Sequence, residues 1–341
     1  MESKPSANWT NLSDDELLES RICDLKLKLE GSEIQHFVEV LYENLAAKNI
    51  LLKPKCYLGD EWFVLEGESA IGIPFFLAHP RLKKIEEKLM LEVEGGDPEW
   101  FMKLLRHEAG HAIYYAYELH KKKEVNKTFG PPSNEETPQY YRPKPYSKSY
   151  VRHLDNWYAQ AEPDEDFAET FAVWLSPHID WKVYYKGWPA LKKLQLMDQL
   201  MQGIAGQKPS VTAASAGYSV QDLKLKLKTY YQRKQKQYAQ DYPDFYDHDL
   251  ELIFASTEEG ASKNAFRFMV KNRRMIVEKV SEWTGEKKFI VHNLYKKLSE
   301  RCETLKMKYG KSEDHLLLDL TAYLTSMVSN YLYTGKFKPT V

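Results

Sequence analysis

The fold of this chain is decided by the stretch Arg106-His107-Glu108-Ala109-Gly110-His111, which contains the pattern H-E-x-x-H. It lies in a region, Pro98–Leu119, whose apolar residues predict a helix. Two histidines four positions apart share one helix face, so their imidazoles can reach a single ion. Imidazole nitrogen binds Zn²⁺ at about 2.0–2.1 Å. Glu108 lies about 100° further round the helix, where its carboxylate can act as base for a water molecule beside the metal.

The alternative is a solvated helix that carries two His and a Glu by chance. The composition favours a buried helix, because small or apolar residues cover much of its surface. These residues are Phe101, Leu104, Leu105, Ala109, Ala112, Ile113, Tyr114 and Ala116. Burying two imidazoles and a carboxylate without partners would be costly, and a bound metal would remove that cost. Gly110 in mid-helix costs about 1 kcal/mol relative to Ala, which indicates that another element approaches closely there.

A catalytic zinc site has three protein ligands and one open position, so a third ligand is needed. The metzincin pattern is absent, because Tyr114 and Tyr117 stand where it requires Gly and His. The segment Glu162–Leu175 offers carboxylates instead, on a predicted helix that begins with Pro and a cluster of acids. Glu165 and Glu169 share a face of this helix, so one can bind the metal while the other accepts the outer N–H of a ligand His. The alternative is that these acids only complement the helix dipole.

The two motifs together resemble those of gluzincins, zinc metallopeptidases with H-E-x-x-H on one helix and a Glu on the next. The run Glu165-Asp166-Phe167-Ala168-Glu169 is similar to the E-D-F-A-E-T-F-A motif of bacterial zinc-binding metallopeptidases. More distantly, it resembles E-F-F-A-E of the catalytic domain of anthrax lethal factor. The resemblance covers roughly Ile34 to Met201. It implies that Glu165 is the third zinc ligand and that Glu169 supports a ligand from behind, although many gluzincins have Asp there. Asp166 and Glu169 stay open as alternative ligands.

Tyr158 lies seven residues before Glu165, where the lethal-factor-like arrangement places a Tyr that faces the metal. A phenol there can donate a hydrogen bond to an oxyanion. Since the chain contains 23 Tyr, a Tyr nearby also has a trivial explanation, and Tyr150 and His153 are alternatives. The expected chemistry is peptide-bond hydrolysis with Zn²⁺ as cofactor and Glu108 as general base. The expected partner is a peptide or protein substrate.

The composition argues against two other classes of partner, nucleic acids and membranes. The chain has 341 residues, of which 43% are hydrophobic, and its net charge is −1. That balance argues against strong nonspecific nucleic-acid binding. We find no run of about 18 apolar residues, so no membrane span is expected. Three scattered cysteines and no signal-like start predict a cytoplasmic protein with reduced thiols. The oligomeric state is left open.

We expect an α+β, zincin-like metallopeptidase domain with a small twisted sheet, followed by an all-α helical bundle. The predicted parts are an N-terminal arm (1–32), the metallopeptidase domain (33–205), a linker with a basic and aromatic segment (206–255) and the C-terminal helical bundle (256–341). Within the domain, Gly72–Leu77 is a candidate edge strand that could pair with an extended substrate. The Pro-rich stretch Lys121–Lys148 is either a lid or cleft wall or a solvated excursion. A capping box at Ser256–Glu259 should open the first long helix of the bundle.

The second functional hypothesis is a catalytically silent zincin scaffold. Such a protein would act as a protein- or nucleic-acid-binding module through its C-terminal bundle. The presence of Glu108 together with His107, His111 and Glu165 favours the enzyme, because a scaffold needs no base.

Overall fold

The computed structural model describes residues 9–131, 143–212, 218–238, 246–254 and 263–334. The chain divides into two compact units, the first reaching to Arg233 and the second beginning at Lys234, apart from short stretches assigned to the other unit. This division lies inside the segment predicted as a linker. The described residues are mostly helical with small sheets, which agrees with the α+β class. None of the helices in these ranges is both long and apolar enough to cross a lipid bilayer.

The first unit consists of helices and one small sheet. Its helices are α1 (Asp14–Leu18), α2 (Gln35–Ala47), α3 (Pro80–Met90), α4 (Pro98–Ala116), α5 (Lys123–Phe129), α6 (Pro163–Leu175), α7 (Trp181–Tyr184), α8 (Leu191–Ile204) and α9 (Leu227–Gln237), the last of which continues past the division between the units. Its strands are β1 (Lys55–Gly59) and β2 (Ala70–Pro74). Of the predicted lid, residues 132–142 lie outside the described residues, and α5 forms its first part.

The sheet of the first unit is parallel and has two strands. β1 and β2 run in register from Lys55 opposite Ala70. In the connection between them, Phe63 and Gly72 exchange main-chain hydrogen bonds as an isolated antiparallel bridge. Gly72 allows this approach, since a Cβ there would lie 2.6 Å from Cε1 of Phe63. The connection therefore covers part of the side of β2 that faces away from β1.

The prediction of an edge strand at Gly72–Leu77 is confirmed only over Gly72–Pro74, where β2 is an outer strand of its two-stranded sheet. The strand ends at Pro74, and Phe75–Ala78 form a 3-10 helix. All five residues of β2 are buried, and the bridge to Phe63 occupies a main-chain position that an added strand would use. Part of the outer side of β2 is therefore already occupied by the connection from β1.

The described part of the predicted N-terminal arm packs into the first unit. α1 begins with a capping box in which Ser13 and Glu16 bond to each other's main chain. Leu17 and Ile22 are fully buried. The N–H of Ile22 also donates to the carbonyl of Leu225 at 3.1 Å. From α1 onward this segment is thus part of the folded unit.

The two helices expected to carry the site, α4 and α6, lie against each other. α4 begins at the N-cap Asp97, whose side chain accepts two main-chain N–H groups, with Pro98 as its first residue. α6 also has a proline, Pro163, as its first residue, but its N-cap Glu162 forms no side-chain cap hydrogen bond. A Cβ added to Gly110 would lie 2.8 Å from the Cα of Ala168 and 3.0 Å from its carbonyl oxygen. The close approach predicted at Gly110 is therefore confirmed, and the approaching element is the backbone of α6.

The second unit is a helical bundle over its described residues. Its helices are α10 (Asp247–Phe254), α11 (Ala265–Thr284), α12 (Lys288–Thr304) and α13 (Glu313–Thr334), and its strands β3 (Lys263–Asn264) and β4 (Lys308–Tyr309) pair antiparallel. One buried apolar cluster includes residues from all four helices. The predicted capping box at Ser256–Glu259 lies outside the described residues. α11 is capped instead by Asn264, which accepts the N–H of Arg267 at 2.9 Å.

Candidate metal centre

Three side chains from α4 and α6 converge on one point. Nε2 of His107 lies 3.1 Å from Nε2 of His111 and 3.0 Å from Oε2 of Glu165. The same oxygen is 3.3 Å from Nε2 of His111. Two ligands at about 2.0–2.1 Å from a tetrahedral ion lie about 3.3 Å apart, so these spacings suit such an ion. The three residues thus form a group that could hold a metal ion.

Glu169 lies behind His107 and fixes how its ring is presented. Its Oε1 lies 2.9 Å from Nδ1 of His107, and its Oε2 accepts the main-chain N–H of Leu154 at 2.9 Å. Because a carboxylate accepts hydrogen bonds, the proton of a neutral imidazole sits on Nδ1 and leaves a lone pair on Nε2. In the neutral ring that lone pair would face Oε2 of Glu165, 3.0 Å away. The site must then hold a positive charge between these atoms, either a proton or a metal ion, and two imidazoles with a carboxylate fit a metal.

The carboxylates around the imidazoles favour positive charge in the site. Burial alone lowers the pKa of His107, but hydrogen bonds with Glu165 and Glu169 raise it well above the usual 6.5. Glu165 likewise outweighs burial and raises the pKa of His111. Burial raises the pKa of Glu165, yet hydrogen bonds to the two imidazoles bring it well below 4.5. A divalent ion would supply the positive charge that these groups stabilise.

Glu108 is buried next to the three candidate ligands. Only 6% of the surface of Glu108 is exposed. Burial raises the pKa of Glu108 above 4.5, although the nearby His107 and His111 oppose this rise. Within the described part of the chain, no residue forms a hydrogen bond with its carboxylate. A desolvated carboxylate with a raised pKa and free oxygens is suited to accept a proton.

Tyr158 reaches the other oxygen of the candidate ligand Glu165. Its hydroxyl donates to Oε1 of Glu165 at 3.0 Å, and its ring centroid lies 5.7 Å from that of His107. Among the two alternatives, His153 turns to the main chain of α4, where its Nε2 donates to the carbonyl of Lys103 at 2.9 Å. The structure thus brings Tyr158 to the site and engages His153 elsewhere.

Asp166, which was expected beside the metal, pairs with a lysine instead. Its Oδ2 lies 2.5 Å from Nζ of Lys193 on α8. The same Nζ lies 3.9 Å from the ring centroid of Tyr150, the second alternative for Tyr158. Burial raises the pKa of Asp166 to about 7 despite the lysine. Successive helix residues point about 100° apart, so Asp166 faces α8 while Glu165 faces the imidazoles.

Two contacts of the site had no signal in the sequence. The main-chain N–H of Leu154 bonds to Glu169, and a main-chain donor requires no particular residue type. Lys193 was read only as part of a helix, and its contact with Asp166 spans 27 positions. Pairings over such separations follow from the fold and not from local spacing.

Searches of protein-family models, curated proteins and solved structures find no match to this chain. Its function therefore has to be inferred from the geometry and chemistry of the site.

Proposed function

We propose that this protein is a zinc-dependent peptidase with a zincin-like first unit, which hydrolyses peptide bonds with Glu108 as general base. The observation that carries the proposal is the convergence of His107, His111 and Glu165, whose ligand atoms are 3.0–3.3 Å apart. Two imidazoles and one carboxylate form a ligand set used by hydrolytic zinc sites. The buried carboxylate of Glu108 beside this set supports an enzyme over a binding scaffold, because binding requires no base.

Zinc held by these three residues would lower the pKa of a coordinated water and polarise the substrate carbonyl. Glu108 accepts a proton from the attacking water on its carboxylate. It then delivers that proton to the nitrogen of the leaving amine. The raised pKa of Glu108 brings its proton affinity closer to that needed for both transfers near neutral pH.

Two further side chains, Tyr158 and Glu169, would assist the hydrolysis without exchanging protons with Glu108. Tyr158 lies within hydrogen-bond distance of Glu165, from which its hydroxyl can turn towards the negative charge that develops on the carbonyl oxygen. Glu169 holds the Nδ1 proton of His107, so that Nε2 stays available as a ligand atom. Both roles depend on the packing of α6 against α4.

Metal content and a Glu108→Gln variant test this proposal. We expect about one zinc per chain in both proteins, because this substitution removes none of the three ligands. Hydrolysis of a mixed peptide library should fall by about 10²–10⁴-fold in the variant, the range that general bases contribute. Glu99→Gln is the matched control, since Glu99 is an exposed acid on the first turn of the same helix. It should leave metal content and hydrolysis unchanged.

Three outcomes would count against the peptidase. Protein that takes up no zinc would remove the metal centre. Full activity in Glu108→Gln would remove the general base. Stoichiometric zinc without hydrolysis of any library member would favour the silent scaffold.

A further inference from the structure

Three aromatic rings, one exposed and two half-buried, surround one arginine in the first unit. We call this group the Arg152 cluster, and it consists of Tyr146, Lys148, Arg152, Trp157 and Trp188. Cζ of Arg152 lies 4.7 Å from the ring centroid of Trp157, 5.3 Å from that of Trp188 and 5.5 Å from that of Tyr146. Arg152 is itself exposed. Rings at these distances hold a guanidinium by cation–π attraction.

The two cations of the cluster have no acidic partner in the described ranges. Neither Arg152 nor Lys148 forms an ion pair with a described carboxylate, although Asp155 lies in the same segment. Nζ of Lys148 lies 5.8 Å from the centroid of Trp188, the ring that Arg152 also contacts. Stacking occupies the face of a guanidinium and leaves the N–H donors at its edge. Two cations near one indole, with no carboxylate partner among the described residues, therefore favour the binding of an anion.

The main chain on both sides of the cluster is fixed. The hydroxyl of Tyr185 accepts the N–H of Arg152 at 3.0 Å and lies 3.3 Å from its carbonyl oxygen, to which it can donate. The carbonyl of Lys148 accepts the N–H of Ala190 at 3.0 Å. Because these anchors and the rings restrict the arginine, an incoming anion would order few additional groups.

The same segment of chain supports the metal centre. The N–H of Leu154 holds Glu169. The hydroxyl of Tyr158 holds Glu165. Trp157 is the chain neighbour of Tyr158, so their Cα atoms lie about 3.8 Å apart. Two residues that support the metal centre and two residues of the cluster therefore belong to one short stretch of chain, 152–158.

We propose that the Arg152 cluster binds an acidic side chain of the substrate near the bond that is cut. This inference rests on the proposed peptidase function, because it takes the bound segment to be the substrate. The carboxylate of Asp or Glu matches the guanidinium edge with two parallel hydrogen bonds. A neutral side chain gains no such bond, and a basic one is repelled. Arg152 is thus a specificity-determining residue.

Binding tests the inference without any hydrolysis. The probes are a short, end-blocked, alanine-rich peptide with one Glu and its counterpart with Gln. Titration of each into the zinc-loaded protein is followed through the indole N–H signals of Trp157 and Trp188. We expect the Glu peptide to bind roughly tenfold more tightly, since its charge-assisted hydrogen bonds are about twice as strong as neutral ones. Arg152→Gln should abolish the difference.

The matched control is Lys53→Gln. Nζ of Lys53 also lies over an aromatic ring of the first unit, 5.8 Å from the centroid of Tyr42. This variant should keep the full preference for the Glu peptide. Equal affinities for the two peptides, or a preference that survives Arg152→Gln, would overturn the inference. Tighter binding of oligothymidine than of the Glu peptide would also overturn the inference, and would indicate that the Arg152 cluster binds nucleic acid.

Hydrolysis of a peptide library separates this inference from the function on which it rests. Cleavage by the zinc-loaded protein should enrich Asp and Glu near the cut bond, and Arg152→Gln should remove that enrichment while Lys53→Gln keeps it. Cleavage without acidic enrichment would leave the peptidase standing and overturn the role of Arg152. Selective binding of the Glu peptide without any cleavage would support the binding role of Arg152 and count against the peptidase.

Discussion

A single methyl group at Gly110 should push apart the two helices that carry the candidate ligands. In Gly110→Ala, the new Cβ would lie 2.8 Å from Cα, 3.0 Å from the carbonyl oxygen and 3.2 Å from Cβ of Ala168. Ordinary carbon contacts are about 3.5–4.0 Å, so α6 must move by about 0.7 Å or more. The nearest atoms belong to the backbone, which cannot turn aside as a flexible side chain would.

The expected change in the free energy of unfolding follows from two opposing effects. Overpacking costs about 1–3 kcal/mol, and replacing Gly by Ala in a helix returns up to about 1 kcal/mol. Gly203→Ala in α8 isolates the second effect, since its Cβ would meet nothing within 4 Å. We expect Gly110→Ala to lower the free energy of unfolding, and Gly203→Ala to leave it unchanged or raise it. The difference between the variants should be about 1–3 kcal/mol, the steric cost alone.

Zinc affinity gives the second readout of the same variant. Metal sites tolerate ligand displacements of about 0.2 Å, and α6 carries Glu165. Competition with a chromogenic chelator should therefore show affinity about 10–100-fold weaker in Gly110→Ala and unchanged in Gly203→Ala. Urea unfolding and zinc binding that match the unsubstituted protein in Gly110→Ala would refute the close contact between α4 and α6.

Three further outcomes follow from the site. Glu165→Ala should weaken zinc binding, measured by calorimetry, more than Asp166→Ala does. Asp166→Ala should instead lower the free energy of unfolding in urea by about 3–5 kcal/mol, because Lys193 loses its counter-charge. The reverse order of the two variants would contradict the ligand assignment. Zinc affinity should increase as pH rises above 6.5, because carboxylates raise the pKa values of His107 and His111 and the ion must displace those protons; titrations that give one affinity from about pH 6 to about pH 9 would contradict this. Tyr158→Phe should lower kcat by about 10²–10³-fold and retain the zinc, if its hydroxyl stabilises the oxyanion; an unchanged kcat would exclude that role.

The sequence predicted those features of the site that follow from the spacing of residues within a single helix. Positions 107 and 111 share a face of any helix, and α4 was predicted with the correct first residue, Pro98. Its end was placed too late, because Glu118 has a left-handed backbone with φ of 51° that apolar spacing does not reveal. The strong start signals around Pro163 likewise located α6 to within a residue.

The sequence did not predict the features that depend on contacts between distant segments of the chain. Whether Glu165, Asp166 or Glu169 faces the imidazoles depends on how α6 is rotated against α4, and spacing alone left all three open. The end of β2 at Pro74 and the contact on its outer side have the same origin. An apolar run with a Pro is compatible with an edge strand, and only the three-dimensional arrangement shows Phe63 bonded to it.

The hydrogen bond from Tyr158 to Glu165 has a consequence for which ions the site selects. With Oε1 engaged by the phenol, the carboxylate presents only Oε2 to the imidazoles, so bidentate coordination is disfavoured. Ca²⁺ prefers six to eight oxygen ligands and often uses carboxylates in the bidentate mode. Two nitrogens and a single oxygen cannot meet that demand, so millimolar calcium or magnesium should compete poorly with zinc at this centre.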